Sequence, residues 1–225
     1  MAAYGVEFME IRKPMRLTKL LGAVAAIAMS SPAVAQSVES RTFLINGLAS
    51  AVPFIGYGFA NLKKKIPGSE LYSYISPVEG AAVIQPKIMN DIRAAWRRNP
   101  GVEINLIGIS FGANLITRMA GQLHKEGIQV SYLGVIDGLP LASVTPNVRR
   151  VDNFICNFPG CLRDRVRLTS DNKSTIQHDF AYNTSHIDLG NNEEVHTRIL
   201  HQIQTYSMNV STAGLDMTKT AAVSN

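Results

Sequence analysis

The sequence predicts an α/β fold, with a mostly parallel central sheet and helices on both faces. Three observations predict it. Apolar runs of strand length alternate with amphipathic stretches of helical length through most of the chain, as in a sheet whose crossovers are helices. Several of those runs are apolar throughout, as strands covered on both faces are. The 225 residues, 46% hydrophobic and 17% charged, suffice for one domain with its own core and differ in composition from a disordered chain.

The elements follow in order. Thr42–Asn46 (TFLIN) reads as a buried strand entering Gly47. Phe54–Lys65 has helical character and closes on Lys63, Lys64 and Lys65, cations that suit a helix C-terminus. Leu71–Ile75 reads as a second strand, and Ile84–Arg98 as an amphipathic helix stopped by Asn99-Pro100-Gly101. Val102–Ile107 is a third strand, Phe111–Lys125 a helix ending near Gly127, and Ile128–Ile136 a fourth strand. Val148–Cys156 and Thr175–Ala181 read as two more strands, and Asn192–Tyr206 as a final helix with Val195, Ile199, Leu200 and Ile203 on one stripe. No repeat or long linker interrupts this order, so residues 36–225 are expected to form one domain.

Residues 1–35 have a different grammar. Lys13, Arg16 and Lys19 precede an apolar run from Leu20 to Met29, followed by Ser30-Ser31-Pro32 and Ala33-Val34-Ala35. That is a basic segment, a short apolar segment and a small-x-small cleavage site, the order of an export signal. Ten apolar residues fall short of the ~20 that a membrane span needs. The expectation is an exported protein starting at Gln36, with Met15 as a candidate true start and no transmembrane segment in the mature chain. The net charge of +5 owes four cations to this leader, and the others form no dense basic run interleaved with aromatics. Nucleic acid is therefore not an expected partner. Export permits a disulfide, and Cys156 and Cys161, the two cysteines, flank an Asn-Phe-Pro-Gly turn that could bring them together. Two cysteines without histidines at ligand spacing make no metal site, and no cofactor motif such as a Walker loop or G-x-G-x-x-G occurs.

The segment Gly108-Ile109-Ser110-Phe111-Gly112 carries the chemistry. A G-x-S-x-G string alone is weak, but here it follows the strand VEINLI and opens the helix FGANLITRMAGQLHKEG. A serine held in such a turn projects its hydroxyl above the sheet, while Gly108 and Gly112 allow close backbone approach. The helix N-terminus adds partial positive charge where an oxyanion would develop.

On these residues, from Arg41 to Tyr206, the chain resembles the α/β-hydrolase family, as a small member without a large lid. The resemblance implies a Ser-acid-His triad in that chain order, with Ser110 as nucleophile. Asp137, after the strand VSYLGVI, fits the acid, and Asp152, inside a later strand, is the second candidate. His186, between the last strand and the final helix, fits the base. His178, His196, His201 and His124 lie within strands or helices. For the oxyanion hole the resemblance implies the Phe111 amide and one from the loop at Gly47 and Leu48. The family's frequent His-Gly is Asn46-Gly47 in this chain.

The implied activity is hydrolysis of a carboxylic ester or thioester, a small-molecule substrate, through an acyl-enzyme. Export weakens a coenzyme A thioesterase, because that cofactor is intracellular. Acyl transfer with the same residues, or a non-catalytic binding protein on the same scaffold, are the alternatives. Arg163, Arg165 and Arg167 read as a solvated loop in preference to an anion site. With few residues between Asp137 and Val148 and a polar stretch from Phe158 to Ser174, no lid and little apolar wall are expected.

Overall fold

In a computed structural model of the chain, residues 39–48, 50 and 59–203 are described. Six strands, β1 (Ser40–Ile45), β2 (Glu70–Tyr72), β3 (Glu103–Ile109), β4 (Val130–Ile136), β5 (Val148–Cys156) and β6 (Ile176–Tyr182), form one sheet in the order β2-β1-β3-β4-β5-β6. Every neighbouring pair is parallel, so all six C-terminal ends share one edge. Helices α1 (Ala60–Lys65), α2 (Pro77–Glu79), α3 (Gln85–Arg98), α4 (Phe111–Lys125) and α5 (His186–Leu189) lie between or after the strands. Residues 193–203 form a further helix, α6.

The sheet separates two apolar layers. On one face, Ile104 and Leu106 of β3 pack with Ile88 and Ile92 of α3 and Leu115 and Met119 of α4. On the other, Ile107 and Ile109 of β3 pack with Leu62 of α1, Leu189 of α5 and Val195 and Ile199 of α6. The period-2 alternation of a strand sends successive side chains to opposite faces. Fully burying each aliphatic side chain stabilises by about 1.5–3 kcal/mol. The expected α/β architecture is present, and among the described strands the sheet is wholly parallel.

Two elements ahead of β3 differ from the sequence reading. The second strand ends at Tyr72, short of Ile75, because Tyr74 turns into the core and Ser76 starts a helix. The Ser76 hydroxyl accepts from the Glu79 amide at 3.1 Å, and Pro77 occupies the first turn. Helical backbone therefore begins at Pro77, ahead of the Ile84 start read from periodicity, and passes through a π-helical stretch, Gly80–Ile84, into α3. The leader 1–35, the start of the helix read from Phe54, and the chain after residue 203 lie outside the described residues.

The tightest crossing lies at the head of α4. A Cβ on Gly112 would stand 2.2 Å from the Ile45 carbonyl oxygen, and one on Gly108 would stand 2.4 Å from that of Gly112. Both obstacles are backbone and neither can step aside. Gly112→Ala should therefore destabilise the fold by roughly 2–4 kcal/mol, read as a lower denaturant midpoint. Gly121→Ala, on the same helix with no atom within 4 Å of the added Cβ, should be neutral or slightly stabilising.

Candidate active site

Ser110 stands between β3 and α4 with φ 59° and ψ −123°, a sparsely populated conformation that costs about 1–3 kcal/mol and persists where surroundings over-determine it. Those surroundings are the Gly108–Gly112 contact below it and the bond from the Ser110 amide to the Ile136 carbonyl of β4 at 2.9 Å. The first amides of α4, beginning with Phe111, have no partner within the helix and supply the N-terminal end of its dipole beside Ser110.

The loop after β1 closes over this serine. A Cβ on Gly47 would stand 3.0 Å from Ser110 Cβ and 3.5 Å from its Oγ, so the Gly47 backbone borders the hydroxyl. Asn46, buried, braces the loop: its Nδ2 donates to Ser73 Oγ at 2.9 Å and its Oδ1 accepts from the Phe59 amide at 3.2 Å. Asn46 thus ties the loop after β1 to Ser73, just past β2, and to Phe59 at the start of α1. Leu48 is exposed at the tip.

Asp137 follows β4 at the same sheet edge, its amide donating to the Phe154 carbonyl of β5 at 2.8 Å. The carboxylate is fully buried and has three N–H donors. His186 Nδ1 lies 2.6 Å from Oδ2, the Leu162 amide donates to Oδ2 at 3.0 Å, and the Arg163 amide donates to Oδ1 at 3.0 Å. Burial by itself would push the carboxyl up. The bonds from His186, Arg163 and Leu162 outweigh it and hold the group below its ordinary value. His186 is the first residue of α5, set by the Ser185 cap, whose hydroxyl accepts from the Asp188 amide at 3.2 Å. The short helix replaces the open loop read from sequence. Among the described residues no hydrogen bond joins Ser110 Oγ to the other ring nitrogen of His186.

The other candidates are occupied elsewhere. Asp152, equally buried, accepts from Arg150 Nε at 3.0 Å and the Tyr132 hydroxyl at 3.2 Å, and His178, half exposed on β6, stands 3.7 Å from it. His196 is buried against α1, its Nε2 on the Gly190 carbonyl at 2.8 Å; burial pushes its pKa down, so it packs as neutral imidazole. Arg163 donates through its side chain to the Asn157 and Phe158 carbonyls, Arg165 pairs with Asp179 at 3.7 Å and Arg167 with Asp164 at 3.0 Å. Cys156 and Cys161 are bridged. Their sulfurs lie beside Asp137 within ligand spacing, but a bridged pair offers no thiolate to a metal.

Sequence reasoning missed the Leu162 and Arg163 amides. Arg163 has φ 59°, and a backbone N–H aimed by a left-handed residue leaves no mark in side-chain pattern. Leu48, Leu139 and Ile187 are exposed, and each falls one or two residues after Gly47, Asp137 or His186. Between β4 and β5, and between β5 and β6, the described chain contains no helix.

No family model matches this chain, and no curated protein matches it. Among solved structures it resembles the NocB thioesterase domain of the nocardicin cluster, at 15% identity over 75% of this chain and 95% of that one, TM-score 0.45. It also resembles the SrfTE thioesterase domain that cyclises surfactin, at 13% over 75% and 93%, TM-score 0.47. A third likeness is a cutinase-like protein from Cryptococcus sp., at 14% over 76% and 97%, TM-score 0.43. These are likenesses of fold alone. On the chain's own geometry the fold is α/β, a parallel sheet among the described strands with a serine turn after the central strand β3.

The Asp137 carboxylate gives a stability prediction. Its folded pKa lies below the unfolded value, so its contribution is present above the ordinary 3.8 and is lost as pH falls through the folded value. Asp137→Asn should therefore lower stability by roughly 1–3 kcal/mol at pH 7, with a gap to wild type that narrows below pH 4. Denaturant unfolding at the two pH values checks it.

Proposed function

We propose that this chain is an exported serine hydrolase that cleaves a carboxylic ester or thioester of a small molecule. One observation carries the reading: a buried aspartate paired with a histidine at 2.6 Å stands at the same sheet edge as a serine in a strand–turn–helix elbow. Ser110 attacks the carbonyl carbon while His186 takes its proton. Asp137 holds His186 in the tautomer whose free nitrogen faces the serine and stabilises the imidazolium that forms. The tetrahedral oxyanion is met by the Phe111 amide and by an amide of the Gly47–Leu48 loop, both fixed before the reaction. His186 then protonates the leaving group, and water, activated by the same imidazole, resolves the acyl-enzyme.

The exposed Leu48, Leu139 and Ile187 supply apolar contact to the acyl or alcohol portion of the substrate. A substrate reaches the site without displacing a helix from the loops after β4 and β5. Among the described residues no helix is long and apolar enough to cross a membrane. The export assignment rests on the pattern of residues 1–35.

A fluorophosphonate probe should label the protein once, on Ser110. Ser110→Ala and His186→Ala should each cut ester hydrolysis by about 10³-fold or more while the protein stays folded, and the double variant should lose little further. Asp137→Asn should also be severe, whereas Asp152→Asn should keep the activity. Severe loss in the Asp152 variant, with Asp137→Asn active, would overturn the assignment of the acid. For export, intact mass of protein recovered outside the cytoplasm should place Gln36 at the N-terminus. A recovered chain that still carries Leu20–Met29 would defeat it.

A further inference from the structure

The bridge between Cys156 and Cys161 lies inside the pairing of acid and base. Cys156 is the last residue of β5, one strand over from Asp137, and its Sγ lies 3.2 Å from Asp137 Oδ2. Cys161 Sγ lies 3.8 Å from the carbonyl oxygen of Thr184, two residues before His186. A bridged sulfur carries no proton, so both are packing contacts. The two residues that follow Cys161 are Leu162 and Arg163, whose amides hold the two oxygens of Asp137.

The rest of this loop is weakly tied. Residues 157–160 are exposed. The Asn157 amide reaches the Tyr182 carbonyl at 3.0 Å and so holds only the loop's start. The Cys161 amide bonds to Phe158 at 3.2 Å and the Arg163 guanidinium to Asn157 and Phe158 at 3.1 Å, all within the loop. Apart from the Leu162 and Arg163 amides on Asp137, the next tie to another part of the chain is Asp164, which accepts from the Leu141 amide at 3.0 Å. Between Asn157 and Asp164 the bridge is thus the one covalent link from loop to sheet, and it closes immediately before the two amides that matter. Arg163 is held at a left-handed φ of 59°, which a non-glycine residue keeps only when its surroundings impose it.

We infer that the Cys156–Cys161 bridge is a positioning element for the proposed triad: it seats the Leu162 and Arg163 amides on Asp137, so that the carboxylate stays aimed at His186 Nδ1. The inference rests on the reading of Ser110, Asp137 and His186 as a triad. Without the bridge, residues 157–163 gain conformations in which these amides leave the carboxylate. Asp137 then turns to find other donors, and His186 loses its orientation. Substrate contacts at Leu48, Leu139 and Ile187 lie on other loops and are kept. The loss should therefore fall on turnover and spare binding, because misplacing a reacting group by about 1 Å can cost 10²-fold in rate.

The test compares wild type with a Cys156→Ala/Cys161→Ala variant in two readouts, hydrolysis of a p-nitrophenyl ester and exchange of individual backbone amides. The variant, folded by circular dichroism, should lose at least about tenfold in kcat with KM within about twofold. The amides of Leu162 and Arg163 should lose protection while those of β3 and β4 keep it. A merely structural bridge would lower the melting temperature without this split. A folded variant with wild-type kcat, or with Leu162 and Arg163 still protected, would overturn the inference. If the variant does not fold, native wild type reduced in place takes the same two measurements, and reoxidation should restore kcat. Amide exchange reads the loop without reference to catalysis. A wild type that never labels at Ser110 would overturn the triad itself, whatever the exchange shows.

Discussion

Helix α4 starts so close to the end of β1 that residue 112 has no room for a single carbon between its backbone and the Ile45 carbonyl. That contact sets where the helix begins and therefore how sharply the chain must turn after β3. The turn holds Ser110 at its strained φ of 59°. The same approach brings the loop after β1 over the serine, so that Gly47 borders Oγ. One packing constraint between a helix and a strand thus bears on three parts of the proposed site: the Ser110 turn, the start of α4 beside it and the loop at Gly47.

The two buried aspartates show how neighbours divide one residue type into two roles. Asp137 and Asp152 are both fully buried, and each needs donors to offset the loss of water. Asp152 spends its oxygens on Arg150 and Tyr132, partners from its own strand and the next, and so braces the sheet. Asp137 stands just past its strand, where the donors come from loops: two backbone amides and one imidazole. The second arrangement holds a histidine ring nitrogen at 2.6 Å, whereas His178 stands 3.7 Å from Asp152.

The sheet was legible because period and punctuation agree: apolar runs of strand length, each followed by Gly, Pro or a helix signal. The G-x-S-x-G segment was legible for the same reason, since its strand and helix could be read around it. The early start of helical backbone could have been read too, from Ser76-Pro77 followed by Glu79, but apolar periodicity drew the reading to Ile84. What the sequence could not disclose were contacts between backbone and side chain across long separations. The amides of Leu162 and Arg163 reach a carboxylate 25 and 26 residues away, and no feature of Leu or Arg as side chains announces it. Asn46 is an intermediate case: its departure from His-Gly was visible, but its bracing of Ser73 and Phe59 depended on where the loops fold.

The topology β2-β1-β3-β4-β5-β6 with every pair parallel has a kinetic consequence. Parallel neighbours cannot be joined by a two-residue hairpin, so no ladder in this sheet can nucleate locally. Each pairing first closes a long crossover, and the entropy of that closure is lost before the contacts form. Helices such as α3 and α4 can gain local structure early, but the order of strands emerges only from contacts distant in sequence. A chain built this way folds slowly for its size and passes through states with exposed strand edges. It is therefore more sensitive to concentration and temperature during folding than a helical bundle of equal length.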